Sequence, residues 1–175
     1  MRDVRIHYFQ YRYLHLYLST NYYLRKIRIQ ENAMCTFCEN HEETLEHLFW
    51  LCSYSNSFWQ SISVNYLPHS SDPPISYRII SFGYIDKDLS VYNFIIFHAK
   101  YFLYFCKLHN TLPSTIGFYS YFKNITEIEY HIANSNNDER LLDRLNFFCY
   151  VTRVCLHYNL TPFAIYICLY FRTLI

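Results

Sequence analysis

At 175 residues and 52% apolar, the chain is long enough for one domain or for a small module beside a second. Its 20 Tyr and 15 Phe stand against only 2 Gly, which leaves few unstrained positive-φ turns and argues against a hairpin-rich all-β fold. The net charge of +1 hides an uneven spread, and that spread bears directly on which surface could meet an anionic partner.

Residues 4–18 read as a helix, with Phe9, Tyr13, Leu16 and Tyr17 recurring on one side at spacings of three and four. Ser19, Thr20 and Asn21 supply cap-type side chains, and a second short helix follows that is expected to carry Leu24 and Ile27 inward. Through residue 30 the basic side chains Arg2, Arg5, Arg12, Arg25, Lys26 and Arg28 face only Asp3, a balance of +5. Residues 31–60 reverse this: Glu31, Glu39, Glu42, Glu43 and Glu46 have no Lys or Arg beside them, a balance of −5.

The most informative stretch is CTFCENHEETLEHLFWLCSYSNSFW, residues 35–59. Structural zinc takes four tetrahedral ligands from Cys sulfur and His nitrogen, and a C-x-x-C turn brings two thiolates to one ion. Cys35 and Cys38 provide the turn; His47 and Cys52 would complete a Cys3His set, with His41 as a competing ligand. The helix bearing His47 starts near Thr44, a suitable N-cap, with Glu46 in its first turn. On a regular helix, five residues leave Cys52 roughly 140° round from His47. The helix is therefore expected to tighten or end by Trp50–Leu51. So short a stretch buries too little surface to fold alone, and Leu48, Phe49, Trp50, Phe58 and Trp59 are expected to close a small core around a metal.

A fourth helix begins near Ser55. Residues 67–76, LPHSSDPPIS, read as a linker. Residues 90–109 form a long predicted helix, capped by Ser90 or Asn93, whose apolar face holds Ile95, Ile96, Ala99, Phe102, Leu103 and Cys106. Another spans 115–133, and residues 147–175 show no stable period. The predicted organisation is thus mostly α: a basic helical segment at 1–30, a zinc knuckle module at 31–66, a linker at 67–89, a helical region at 90–148 and a poorly defined tail at 149–175.

CTFC, then ETLEHLFWLC, then FW resembles the zinc-binding segment that follows the polymerase in LINE-type (non-LTR) retrotransposon reverse transcriptases. The resemblance implies that Cys35, Cys38, His47 and Cys52 are the ligands of Zn2+ and that Glu43 and Thr44 begin the ligand-bearing helix. It extends more softly to residues 9–29, 81–83, 93–114 and 118–137, spanning about residues 5 to 148. From 149 the similarity fails, and that end reads as a frame-shifted or read-through tail. The resemblance places catalysis in an upstream polymerase domain with paired aspartates. This sequence has no adjacent Asp-Asp; Asp86 and Asp88 are the one close pair and read as a solvated turn, so the chain is expected not to be an enzyme.

The resemblance also implies a role in holding template RNA or target DNA. Phosphate would be repelled by the acidic segment, so Arg5, Arg12, Arg25, Lys26 and Arg28 are the predicted nucleic-acid contacts, with Tyr8, Tyr11, Tyr13 and Tyr17 interleaved for bases. Lys100, Lys107 and Lys123 are weaker candidates. The alternatives are a zinc-stabilised protein–protein interaction module and a non-functional relic open reading frame. Cys106, Cys149, Cys155 and Cys168 lack ligand spacing and read as inert thiols. The absence of an apolar leader and of any span near the roughly 20 residues a membrane crossing needs predicts an intracellular, membrane-free protein.

Overall fold

The computed structural model describes residues 4–67, 75–86, 89, 92–139, 141–142 and 145–146. Its elements are α1 (Val4–Leu14), α2 (Asn21–Lys26), a π-helical turn (His47–Leu51), α3 (Ser53–Tyr66), α4 (Tyr77–Phe82), α5 (Asn93–Leu108) and α6 (Thr115–Ser135). Among the described residues β pairing is limited to one isolated bridge, Met34 with Glu42. The mostly α fold is therefore as the sequence predicts.

The helix boundaries follow local chemistry. Thr20 Oγ1 accepts from the Tyr23 N–H at 3.2 Å and starts α2; Ser76 and Ser114 do the same for α4 and α6. With so little glycine, Leu16, Arg28, Asn110 and Asn137 take positive φ just past the ends of α1, α2, α5 and α6. This corrects the inward face expected of the first helix. The chain leaves α1 after Leu14, so Leu16 and Tyr17 turn to solvent while Ile6, Phe9 and Tyr13 are buried. Ile27 is likewise exposed, because α2 ends at Lys26. Gly83 does need to be glycine: at φ 81° an added Cβ would lie 2.6 Å from Asn93 Oδ1. That Asn93 side chain accepts from Tyr84 N–H and donates to Tyr84 C=O, tying the chain beyond α4 to the start of α5. Asn93 thus opens α5 without capping it, and Ser90 lies outside the described residues.

Helix α5 is central, and its predicted apolar face is buried throughout. Phe9 of α1 meets Tyr101 and Tyr104 at ring distances of 5.3 and 5.5 Å. On the other side Phe102 meets Phe58 of α3 and Phe118 of α6 at 5.8 and 5.7 Å. Leu48, Phe49, Phe58 and Trp59 are buried in this same cluster, and Trp50 packs at its margin. The aromatics expected to close a small metal-centred core instead join one continuous core running from α1 to α6.

Lys100 and Lys107 are corrections of a different kind. Both are buried, on the inner side of α5, so neither faces phosphate. Lys100 Nζ donates to the carbonyls of Ile80 and Ser81, the last turn of α4, and sits 4.2 Å from the Tyr13 ring centroid. Burial lowers its pKa from 10.5 to about 7. A folded-state value below the unfolded one means the unfolded chain binds the extra proton. Stability from this residue should therefore rise between pH 7 and 10.5, at up to about 1.4 kcal/mol per pH unit. Urea titrations at pH 7 and pH 9 should show the wild type gaining about 2 kcal/mol over Lys100→Met between the two. Parallel pH curves would refute this.

Candidate metal centre

The knuckle is built from backbone bonds. Cys35 N–H donates to His41 C=O at 2.8 Å, Glu39 N–H to Cys35 C=O at 2.9 Å, and Glu43 N–H to Ala33 C=O at 2.7 Å. Glu39 takes positive φ to close the turn. The Phe37 N–H points at Cys35 Sγ, 3.4 Å away. Thr44 then accepts from the His47 N–H at 3.0 Å, as an N-cap should.

Beyond Thr44 the helix ends at Leu51, as expected, but on the way it widens and does not tighten. Cys52 N–H bonds to His47 C=O at 2.8 Å, an i→i+5 link that stacks residue 52 over residue 47. The 140° offset of a regular helix narrows, and Cys52 Sγ comes within 4.8 Å of the imidazole donor. At Cys52 the backbone turns extended (φ −63°, ψ 133°) and α3 begins. The freed carbonyls find other donors: Ser55 Oγ bonds to Leu48 C=O at 2.6 Å and Trp59 Nε1 to Phe49 C=O at 2.7 Å. The aromatic pair after the last cysteine therefore has a local task, because Trp59 satisfies the end of the π turn.

The ligand atoms of Cys35, Cys38, His47 and Cys52 all lie within 4.8 Å of one another. Cys35 Sγ and Cys52 Sγ are 3.9 Å apart, and Cys38 Sγ is 3.3 Å from His47 Nε2. Metal–sulfur bonds of about 2.3 Å in a tetrahedron place sulfurs about 3.8 Å apart, so the donor set fits zinc in both type and spacing. A hydrogen bond from Cys35 pulls the Cys52 thiol down to about 5, against the opposing effect of burial. The same contact, joined by burial, pushes Cys35 up. His41 is exposed and outside the cluster; its ring lies 5.3 Å from that of His47, and its contribution to the knuckle is its carbonyl.

Glu43 is the site residue whose importance the sequence hides. Its side chain is fully buried. One carboxylate oxygen accepts from the Asn21 N–H at 2.9 Å, at the start of α2; the other accepts from the Thr36 N–H at 2.7 Å, inside the knuckle. Lys107 of α5 stands 3.7 Å away and also donates to the Ser19 carbonyl. One carboxylate therefore joins the knuckle, α2 and α5. The charge census changes with it. Glu43 is matched by Lys107, and Glu42 by Arg25 at 2.6 Å on the surface. The acidic segment is less repulsive to anions than its glutamates suggest.

The predicted basic contacts separate by environment. Arg12 Nη2 bonds to Tyr17 C=O at 2.8 Å and closes the end of α1. Arg25 is held by Glu42, while Lys26 and Arg28 are exposed at the end of α2. Arg5 and Arg12 line a separate groove between α1 and α5. Lys123 is exposed and 3.8 Å from Glu127. Cys106 is buried, which raises its thiol pKa; Cys149, Cys155 and Cys168, together with Asp88 of the Asp86/Asp88 pair, lie outside the described residues. No described helix is long and apolar enough to cross a membrane.

No curated protein and no solved structure matches the chain. Residues 2–59, about a third of the chain and the whole of the Cys3His cluster, match the family model described as zinc-binding in reverse transcriptase.

Proposed function

We propose that the chain is a zinc-ordered part of a LINE-type reverse transcriptase that grips template RNA or target DNA beside an upstream polymerase domain. The carrying observation is the convergence of three sulfurs and one imidazole within 4.8 Å, inside the matched segment. When bound, Zn2+ supplies structural cross-linking, with Cys35, Cys38, His47 and Cys52 as its holders. Glu43 passes that order to α2 through Asn21. The basic end of α2 is thus a fixed platform, suited to phosphates in a salt-dependent and sequence-tolerant way.

The test is the double substitution Lys26→Glu/Arg28→Glu in the zinc-loaded chain, leaving the Arg25–Glu42 pair in place. Titration of a labelled single-stranded RNA at several salt concentrations should show weaker binding. The slope of log K against log salt should be shallower by about 1.4, the contribution of two phosphate contacts to a single strand. Unchanged affinity and slope would overturn the reading.

A second reading, docking on protein, is favoured by the solvent-facing apolar row Val4, Tyr8 and Tyr11 on α1. It predicts negligible RNA affinity even at low salt.

A further inference from the structure

Three of the four clustered donor side chains are buried, and Cys38 alone is partly open to solvent. It stands at the rim of the knuckle, followed by the exposed Glu39, Asn40 and His41. Cys35, on the same turn, is 1% exposed, yet its sulfur lies within 4.8 Å of that of Cys38. The turn carrying both is fixed by backbone bonds, Glu39 N–H to Cys35 C=O and Cys35 N–H to His41 C=O. An open sulfur with a shielded sulfur beside it is the arrangement in which oxidation of the first is resolved by the second.

We infer that Cys38 is a modification site for small peroxides, and that its oxidation closes a Cys35–Cys38 disulfide that dismantles the four-donor cluster. In the first step the Cys38 sulfur attacks one peroxide oxygen. An S–O bond forms, the O–O bond breaks, and the other oxygen leaves as water. In the second, the Cys35 sulfur attacks the sulfenic sulfur of Cys38. The S–S bond forms, the S–O bond breaks, and the hydroxyl leaves as a second water. Each sulfur gives up one electron and the peroxide takes two. The two protons come from the thiols, or from solvent where metal has already displaced them. Cys35 and Cys52 hold the closer sulfurs, 3.9 Å apart, but both are buried, so a peroxide entering from solvent meets Cys38 first. Cys52 is also the poorer resolving partner. Its N–H is bonded to His47 C=O and it joins the π turn to α3, so drawing it to Cys38 displaces two elements. A Cys35–Cys38 bond, at about 2.05 Å between sulfurs, asks for movement within one turn. It leaves His47 and Cys52 as donors, too few for a closed tetrahedral site.

The modification rests on the zinc reading of the cluster and not on nucleic-acid binding. Zinc content measured before the oxidant is added tests the metal centre by itself. The full zinc-loaded chain is then treated with hydrogen peroxide beside a chromogenic chelator, with dimedone, which traps sulfenic acids, in a parallel sample. Cleavage after glutamate without reduction separates the pairings, because Cys35 and Cys38 share the peptide Asn32–Glu39 while Cys52 lies beyond Glu46. The expected result is loss of the bound zinc, a peptide 32–39 lighter by two hydrogens and linked to no other, and dimedone on Cys38. Dithiothreitol with added zinc should restore both the peptide mass and the metal. A cross-link from peptide 32–39 to the fragment holding Cys52 would overturn the assignment. So would dimedone on Cys35 or Cys52 ahead of Cys38, or zinc lost while all three thiols stay reduced.

Discussion

Replacing Cys52 with serine is expected to lower metal affinity by more than about 100-fold, beyond what loss of a supporting hydrogen bond to a ligand costs. It should also weaken the thiolate-to-metal charge-transfer absorption of the cobalt-substituted protein. Cys52 serves three structures at once: its sulfur belongs to the four-donor cluster, it closes the i→i+5 bond to His47, and it precedes the first residue of α3. Structural zinc contributes about 10–16 kcal/mol in small modules at neutral pH, and here that energy would hold a segment with little regular backbone structure between α2 and the π turn. Chelation of the wild type should therefore reduce helicity and expose Trp50 and Trp59, read by circular dichroism and tryptophan fluorescence. Because thiols must lose protons to bind, zinc retention should fall as the medium is acidified. A Cys52→Ser protein that holds cobalt with an undiminished thiolate band would remove the basis for the metal centre.

Glu43→Ala should destabilise the chain by about 3–5 kcal/mol, measured by urea denaturation of the zinc-loaded protein. The substitution strands the buried Lys107 ammonium and removes the acceptor of two backbone N–H groups, Asn21 and Thr36. For a domain with ordinary net stability, that is a large share of the total. The partner variant separates charge from shape. Lys107→Met in the Glu43→Gln background should cost less than the sum of the two single changes, because both charges leave together. Strict additivity, or a Glu43→Ala penalty under about 1 kcal/mol, would show that the carboxylate is not the joint between knuckle and helices. The same variant bears on function. If Glu43 passes metal-induced order to α2, its loss should weaken RNA binding even where zinc is retained.

Much of this molecule could be read from local pattern. The C-x-x-C turn, Thr44 at the helix start and the spacing of Cys52 from His47 point to the four side chains that cluster, because each depends on residues close in sequence. The α5 face from Ile95 to Cys106 follows from helical periodicity in the same way. Sequence gives the end of this helix near Leu51 but not its π form, whose i→i+5 bond draws residues 47 and 52 together.

What sequence left open are the residues whose roles depend on distant partners. Glu43 looks like one more charge in an acidic run, and Lys100 and Lys107 read as weaker nucleic-acid contacts. Burial opposite Ile80, Ser19 and Glu43 makes them structural. Arg12 and Arg25 count equally toward a basic patch in the sequence, yet one closes a helix and the other is paired to Glu42. Sequence alone determined the four clustered donors and the helical periods, since both arise from backbone geometry over a few residues. Only the tertiary structure decided which charges face water, because burial and pairing are set by elements far apart in the chain.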